Sequence, residues 1–470
     1  MDEAEQRFRK AAERGDPRGM VPLGWVLEQR GDLRGAEQWY GRAAEAGHSD
    51  GMIRLAGLLK DRGEGAEAEK WTRAAAAAGH AFAMGALGGI LQERGDLAGA
   101  LEWYEKAAQA GSVFGMWKAG NLLARRNDIA GAQQLYRRAV EAEGSALIRV
   151  QVLRELARLA QQRNDPAEAE ALLRKASTIV PEAEAEGVPA EEAFVVMAEV
   201  VTHTASLVRQ RGAHAEAEAM LRWAATVGHV PAAFDLGMML EQLGRTGDAE
   251  EWYRKAAETG HLRAMTLLGM LLDESGRAAE AESWFRKAAE AGMPLAMDAL
   301  GGLLERRGEL TEAERWYRQG ADAGVQHATM RLAVVLQKRG GDAEADKWFR
   351  KAGDGGDALA MLKVGERAEK AGDLAEAERW YLRAAEAGHE FGMFHMGRLH
   401  QDRGDLEGAE LWLLRSATAG SHNAMALLGL VLDDMGHQAD AERWCRLAVD
   451  AGSPTALLDL RAVRKAKGQG

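Results

Sequence analysis

Proline and cysteine are scarce in this chain, whose 470 residues include 8 prolines and 1 cysteine, Cys445. A single cysteine excludes an internal disulfide, which fits a reducing compartment. Few prolines and few β-branched runs leave the α-helix as the regular structure that the sequence favours. No stretch approaches the ~20 apolar residues of a membrane span, and no apolar signal segment opens the sequence. We therefore expect an all-helical cytoplasmic protein that does not enter a membrane.

Positive charge is also in deficit. The formal net charge is −12, and lysine and arginine form no long patch, which argues against nucleic acid as a partner. Arginine outnumbers lysine about threefold and alanine is abundant, as in proteins from GC-rich bacterial genomes. Solenoids self-associate when their end faces are apolar, whereas both ends of this chain carry charged side chains, and we expect a monomer on that basis. The residues concerned are Asp2, Glu3 and Glu5 at one end and Arg461, Arg464, Lys465 and Lys467 at the other.

Tryptophan and glycine, in contrast, recur along the chain at one fixed interval, which equals the distance in sequence from Trp39 to Trp71. The tryptophans form two series, which are Trp39, Trp71 and Trp103, followed by Trp252, Trp284, Trp316, Trp348, Trp380, Trp412 and Trp444. Glycines repeat with the same period, for example at Gly47, Gly79 and Gly111. A fixed period of about 32 residues is typical of a solenoid built from repeated structural motifs. At one constant position, the tryptophans are predicted to be packing residues.

One repeat, from Gly260 to Gly292, shows why this short period suffices. Two apolar stripes have helical spacing, and they are Ala264, Met265, Leu268, Leu271 and Leu272, then Ala281, Trp284, Phe285, Ala288 and Ala289. Gly269 lies on the first stripe, where it would let a neighbouring helix approach closely. Gly276 ends the first helix as a left-handed residue can. Each repeat is therefore predicted to be a hairpin of two helices of ~13 residues.

The motif W-Y-x-x-A-A-x-x-G at Trp252–Gly260, followed by A-M-x-x-L-G at Ala264–Gly269, resembles the Sel-like repeats, which are relatives of tetratricopeptide repeats. The resemblance covers nearly the whole chain, although the family's repeats are commonly a few residues longer. It implies an all-α, right-handed superhelical solenoid of about thirteen αα-hairpin repeats. It also implies an adaptor or scaffold for protein complexes that needs no cofactor.

The period fails once, and the failure divides the chain into an N-terminal repeat block (1–143), an irregular tetratricopeptide-like centre (144–228) and a C-terminal repeat block (229–470). Within the centre we predict a hairpin from Ser145 to Val180, a linker from Pro181 to Ala190, and an unusually long helix near Glu191–Arg211. The centre could serve as a bend between two stacks, a hinge or a docking site.

Residues that suggest chemistry have structural explanations. Five histidines directly follow a repeat glycine, so successive copies lie on successive hairpins rather than at metal-ligand spacing. Four Arg-Gly-Asp triplets, such as Arg30–Asp32, fit a helix end, a glycine stop and a capping aspartate. His400 is interpreted as a hydrogen-bonded histidine near a helix end, and Cys445 as a buried small apolar residue. We predict no catalytic residue and no metal site.

Function should lie at positions that do not repeat, because packing fixes the positions that do. The residues three, six, seven and ten after the repeat glycine vary and share one face of the first helix, which lines the concave surface in solenoids of this type. Their aromatic, methionine and arginine side chains are those that binding hot spots favour. The predicted partner-binding residues are Arg54, Phe82, Phe114, Trp117, Lys118, Asn121, Asp235, Met238, Met270, Asp298, Arg331, Lys363, Glu366, Phe391, Phe394, His395 and Arg398.

These observations predict an adaptor or scaffold that captures an extended peptide or a helix of a partner protein in its groove. A regulatory subunit that senses a small molecule or peptide through the irregular centre is the alternative. An enzyme would require a cluster of polar side chains in a pocket.

Overall fold

The structure is a computed structural model that describes residues 3–466, and within that range it contains 28 α-helices and no strand. It forms two compact units, Met1–Trp252 and Tyr253–Gly470. Asp2 and Lys467, whose charges entered the prediction of a monomer, lie outside the described residues. The all-helical fold class is confirmed.

The first unit contains these helices, of which the last continues into the second unit. They are α1 (Glu3–Glu13), α2 (Pro17–Gln29), α3 (Leu33–Glu45), α4 (Ser49–Asp61), α5 (Gly65–Ala77), α6 (Ala81–Glu93), α7 (Leu97–Gln109), α8 (Val113–Arg125), α9 (Ile129–Glu141), α10 (Ala146–Gln162), α11 (Pro166–Ala185), α12 (Ala190–Gln210), α13 (His214–Thr226), α14 (Val230–Gln242) and α15 (Thr246–Glu258).

The second unit contains the remaining helices. They are α16 (Leu262–Glu274), α17 (Ala278–Glu290), α18 (Pro294–Arg306), α19 (Leu310–Asp322), α20 (Gln326–Lys338), α21 (Asp342–Asp354), α22 (Ala358–Lys370), α23 (Leu374–Glu386), α24 (Glu390–Asp402), α25 (Leu406–Thr418), α26 (His422–Asp434), α27 (Gln438–Asp450) and α28 (Ala456–Ala466).

Apart from α10–α12 and the two terminal helices, every helix has 13 residues and is followed by a short turn. The even-numbered helices from α2 to α26 are the first helices of successive repeats, and the odd-numbered helices from α3 to α27 are the second helices. Within each unit, consecutive helices pack against one another, and first helices of adjacent hairpins also touch, as α6 and α8 do. The predicted series of thirteen helical hairpins is confirmed.

The turns explain the Arg-Gly-Asp triplets. Arg30 ends α2, Gly31 has a left-handed φ of 83°, and its N–H donates to the Glu28 carbonyl at 2.9 Å. The Asp32 N–H donates to the Leu27 carbonyl at 3.0 Å, which completes a Schellman motif. The Asp32 carboxylate then accepts from the Gly35 N–H at 2.9 Å and caps α3. The predicted glycine stop and aspartate cap are therefore both present, and the Asp32 N–H also helps to close the end of α2.

The glycine inside a first helix makes room for a ring of the second helix of its own hairpin. A Cβ atom at Gly269 would lie 2.5 Å from the ring of Phe285, which is buried. The same relation joins Gly301 to Tyr317. The predicted close approach at Gly269 is confirmed, and its cause is an aromatic ring packed against bare backbone.

The apolar stripes of the repeat from Gly260 to Gly292 are largely buried. All five residues of the second stripe are buried, whereas Met265 and Leu271 of the first stripe are only partly so. Cys445 is fully buried, and burial raises the pKa of its thiol to about 11, so the prediction of a small apolar residue is confirmed. His400 donates from Nδ1 to the Asp405 carboxylate at 2.7 Å near the end of α24, as expected.

The irregular centre consists of α10, α11 and α12, which have 17, 20 and 21 residues. The predicted long helix is α12. The predicted linker from Pro181 to Ala190 is wrong for its first half, because α11 continues through Pro181 to Ala185 and leaves only 186–189 outside a helix. Val180 and Ala183 pack in one core with residues of α10, and this burial favours continued helix over a chain break.

Candidate partner-binding surface

All seventeen residues predicted to bind a partner lie on first helices, and none of them is fully buried. We call the exposed and partly buried residues of the even-numbered helices the first-helix surface. Arg54, Phe82, Met270, Arg331 and Phe391 are exposed there, and the other twelve are partly buried. Asp235 and Met238 belong to the partly buried set on α14.

A recurring hydrogen bond shapes this surface. The buried tyrosine of a second helix donates its hydroxyl to a polar side chain of the preceding first helix, as Tyr40 does to Glu28 at 2.6 Å and Tyr381 to Glu369 at 2.7 Å. Burial raises the pKa of both hydroxyls. Tyr136 donates to the Asn121 amide oxygen at 2.6 Å, so this predicted binding residue also supports the hairpin.

On α8 three predicted residues form one aromatic and cationic cluster. The rings of Phe114 and Trp117 meet edge to face, with centroids 6.1 Å apart. The Lys118 ammonium lies 4.3 Å from the centroid of the Trp117 ring and 5.4 Å from that of Phe114. Burial and the charge of Arg125 lower the pKa of Lys118. The cluster leaves a cation over two rings on the first-helix surface.

In the second unit, Asp298 and Arg331 are joined through a histidine that the sequence analysis did not select. His327 lies 2.8 Å from the Asp298 carboxylate through Nδ1, and the Arg331 Nε lies 3.4 Å from its Nε2. Arg331 is also 3.8 Å from Glu305. The signal that could have identified His327 is its place three residues after Gly324, the same position that Phe82 and Phe391 occupy in their repeats.

The predicted residues of α24 divide into two groups. His395 stacks on the Tyr381 ring at 4.5 Å, and Arg398 forms an ion pair with Glu369. Burial, followed by the charge of Arg398, lowers the pKa of His395. Phe394 packs against a neighbouring apolar cluster. Because these three contact their own protein, Phe391, at 38% exposure, is the residue of this helix most available to a partner.

Phe391 borders a cleft of about 600 Å³ between α22 and α24. Leu359, Leu362 and Ala419 contribute its apolar lining, and Lys363 and Glu366 pair with each other at 2.8 Å on its wall. We name this the α22–α24 cleft. The structure therefore brings Lys363, Glu366 and Phe391 together, as an interaction site requires.

A second cleft, of about 560 Å³, lies between α4 and α6 and includes two predicted residues, Arg54 and Phe82. We name it the α4–α6 cleft. Its lining also includes Asp50, Gly57 and His80, which the sequence did not predict as binding residues, and Asp50 and His80 lie 3.0 Å apart. Phe82 is 69% exposed, the largest fraction among the exposed large apolar side chains of the described residues.

The irregular centre has a cleft of its own, of about 530 Å³, where the start of α12 meets the turn between α13 and α14. Phe194, Val195 and Val227 line it and are each about half exposed. His229 also lines it, and burial lowers the pKa of its imidazole. An apolar surface of this kind suits a ligand or a partner side chain.

Within residues 3–466, no group of three His, Cys, Asp or Glu side chains is arranged to hold a metal ion. Two of the five histidines that follow a repeat glycine cap a first helix, since the Nδ1 atoms of His80 and His261 each accept a backbone N–H at 3.2 Å. None of the described helices is long and apolar enough to cross a membrane.

Comparisons with known proteins agree with the repeat architecture. Tetratricopeptide repeat models match residues 17–42, 83–110, 118–184, 204–261 and 262–291, and the Sel1 repeat model matches residues 49–80, 296–325, 342–357 and 358–389. A search of curated proteins found no match.

Among solved structures, c5321, a protective antigen of uropathogenic Escherichia coli with an SLR fold, is 22% identical over 97% of both chains, with a TM-score of 0.52. PilF of Pseudomonas aeruginosa is 19% identical over 40% of this chain and 89% of its own, with a TM-score of 0.35. A tetratricopeptide repeat protein from Parabacteroides merdae is 18% identical over 51% of this chain and 93% of its own, with a TM-score of 0.33. The likeness to c5321 shows a shared fold and nothing more.

Proposed function

The chain belongs to the Sel1-like and tetratricopeptide repeat family of helical-hairpin solenoids, and from that premise we propose that it is a non-catalytic adaptor or scaffold for protein complexes. Families of this kind generally act as scaffolds. The partner segment would lie along the first-helix surface, on which some adjacent first helices touch, as α16 and α18 do. Apolar residues would anchor it, and charged residues would fix its position.

The observation that carries this proposal is the exposure of aromatic side chains at positions that do not repeat. Phe82 is 69% exposed and Phe391 is 38% exposed, and each borders a cleft of several hundred Å³. Exposing an aromatic ring to water is unfavourable. A surface that binds a partner explains both exposures.

We further propose that the protein acts as a monomer in the cytoplasm and binds neither nucleic acid nor a cofactor. The single cysteine supports a reducing compartment. The net charge of −12 supports a protein partner over a nucleic acid.

The test is retention of partners from a lysate of the source organism by immobilised protein. The wild type is compared with Phe82→Ala/Phe391→Ala and with Leu411→Ala, which removes an exposed leucine of the second helix α25 as a matched control. Circular dichroism checks that all three are folded. We expect a protein retained by the wild type and the control and lost by the double variant. Equal retention by all three would place binding elsewhere on the molecule.

A regulatory subunit that senses a small molecule is the second candidate, and the cleft beside Phe194 and Val195 favours it. A ligand bound there would raise the melting temperature in the absence of any protein partner. A metabolite library screened by thermal shift, with Phe194→Ser as the control variant, separates this candidate from the adaptor.

A further inference from the structure

We propose that the α4–α6 cleft binds a lysine or arginine side chain of the partner segment, flanked in that segment by an apolar residue. This inference deepens the adaptor function proposed above and rests on it. It assigns a chemistry to one cleft of the first-helix surface, and it follows from the shape of the cleft, its charge and its difference from the α22–α24 cleft.

The shape of the cleft comes from a missing side chain. A Cβ atom built at Gly57 has no other atom within 4 Å, so the space above the middle of α4 is open. Val21, Ile53 and Leu58 are partly buried residues of the lining, and Phe82 stands exposed on it. The result is an apolar trough of about 560 Å³, which is ample for a long side chain and its neighbour.

The charge of the cleft is negative. Three carboxylates line it, Glu28, Asp50 and Asp61, against one guanidinium, that of Arg54. The imidazole of His80 does not reverse this balance. Its Nδ1 accepts the Ala83 N–H, so its Nε2 is the atom that donates to Asp50 at 3.0 Å.

Two of the three carboxylates already have partners. Glu28 accepts the Tyr40 hydroxyl and Asp50 accepts from His80. The carboxylate of Asp61, an exposed residue at the end of α4, forms no hydrogen bond or ion pair within residues 3–466. It is therefore the acceptor available to a cation from outside.

A lysine or arginine side chain matches this arrangement along its whole length. Its aliphatic stem can lie over Gly57 and Leu58 while its charged end reaches Asp61, and the apolar residue beside it can cover Ile53 and the Phe82 ring. A carboxylate in the same place would be repelled by the three acidic groups, and an apolar side chain alone would leave Asp61 without a partner.

The α22–α24 cleft has the same framework but a different lining. His389 and Phe391 occupy the helix positions of His80 and Phe82, whereas Leu359 stands where the first cleft has Asp50 and Glu366 where it has Gly57. There Lys363 neutralises the carboxylate of Glu366, which leaves the Glu390 carboxylate, so this lining carries two carboxylates against one cation and the α4–α6 cleft three against one. The two clefts differ in the groups that would select a cation, so the α22–α24 cleft is the internal comparison.

The experiment selects a phage-displayed library of random peptides on the immobilised full-length chain, and then measures the affinity of the best peptide, made synthetically with a fluorescent label. We expect selected sequences to share a lysine or arginine beside an apolar residue. Asp61→Lys should weaken binding at least about fivefold, because an attraction becomes a repulsion. Replacing the basic residue of the peptide by glutamate should restore binding to Asp61→Lys and abolish it for the wild type.

Two further variants keep the test specific. Glu274→Lys makes the same charge change at the equivalent exposed position of α16 and should leave the affinity unchanged. Gly57→Gln puts a side chain into the open space, where its Cβ atom meets no other atom within 4 Å, and should weaken binding of the same peptide. Asp61→Lys should fold, since it places a cation at an exposed position in the last turn of α4.

The outcomes separate this inference from the adaptor function. Selected peptides without a basic residue, or equal affinities of the wild type and Asp61→Lys, would overturn the assignment of the cleft while leaving peptide binding established. Selection of no peptide would overturn the inference, and the lysate experiment with Phe82→Ala/Phe391→Ala then decides the adaptor function independently.

Discussion

The glycines of the first helices are of two kinds, which differ in whether an added methyl group would clash with a neighbouring ring. At Gly301 a Cβ atom would lie 2.7 Å from carbons of the Tyr317 ring, whereas at the adjacent Gly302 the nearest atom, the Tyr317 hydroxyl oxygen, would be 3.6 Å away. Glycine lowers helix stability because it adds freedom to the unfolded chain. Only at the first of these positions does close packing compensate for that loss.

We predict that alanine has opposite effects at these neighbouring positions. Gly302→Ala should raise the free energy of unfolding by about 0.5–1 kcal/mol, since it improves helix propensity without a clash. Gly301→Ala should lower it by about 1–3 kcal/mol, because the added methyl group displaces a buried ring. Urea unfolding followed by circular dichroism measures both, and stabilisation by Gly301→Ala would refute the packing argument.

At the residue scale, the sequence predicted the type of each position better than its partners. The prediction that Gly269 permits close approach was confirmed, but nothing in the sequence identified the Phe285 ring as the group that approaches. The roles of Asn121, His395 and Arg398 as binding residues remain predictions, yet each already contacts a residue of another helix. Such contacts depend on side-chain directions that spacing alone does not determine.

At the scale of helices, ion pairs join consecutive hairpins. An arginine at the end of one first helix pairs with a glutamate of the preceding second helix, always 25 residues earlier. The pairs are Glu37–Arg62, Glu69–Arg94, Glu282–Arg307, Glu314–Arg339 and Glu378–Arg403. Hydrogen bonds from Arg94 and Arg403 lower the pKa of Glu69 and Glu378. The charge pattern therefore favours stacking of one repeat on the next.

The lowered pKa of Glu378 predicts that the free energy of unfolding depends on pH. A carboxyl whose pKa is lower in the folded state stabilises the fold above its unfolded pKa of about 4.3, and the contribution is lost as pH falls through the folded pKa. Glu378→Gln should cost about 0.5–1 kcal/mol at pH 7 and almost nothing at pH 3. Urea unfolding at the two pH values measures the difference.

The matched control is Glu386→Gln, which changes an exposed glutamate of the same helix, α23. Its effect should be close to zero at pH 7, or slightly stabilising because it removes a negative charge from a helix C-terminus. Equal losses for Glu378→Gln and Glu386→Gln would show that the pairing with Arg403 contributes nothing.

Helix boundaries were predictable where a glycine stops the helix, and their prediction failed where burial outweighed a local signal. Proline and glutamate near Pro181 suggested a linker, yet α11 continues because it adds contacts to α10. The Glu186 carboxylate also accepts the Ala146 N–H at 2.9 Å and so completes the start of α10. A contact over 40 residues is a tertiary effect that overrides local preference.

At the scale of the whole molecule, stability should be a sum over neighbouring hairpins, because each helix packs mainly on the helices beside it in sequence. We predict that residues 261–470, which contain α16–α28, fold without the rest of the chain. Far-ultraviolet circular dichroism should show a helical spectrum and a cooperative thermal transition. A single hairpin, residues 261–292, should be largely unfolded, since it cannot bury both its faces.

A helical spectrum for the single hairpin, or none for residues 261–470, would contradict this additive picture. The fixed period of the tryptophans and glycines allowed the hairpins themselves to be predicted, because packing and turns recur in every copy. The lining of each cleft could not be predicted in the same way, because it depends on residues of three helices that differ from copy to copy.

The regular helices and their turns advance the chain in equal steps of half a repeat, so that first and second helices alternate. A gene duplication or deletion of one whole repeat would therefore lengthen or shorten the array and keep this alternation intact. A duplication of half a repeat would exchange the roles of first and second helices for the remainder of the chain. Evolution of such a protein is thus confined to whole hairpins, and an engineered scaffold of chosen length can be made by the same increments.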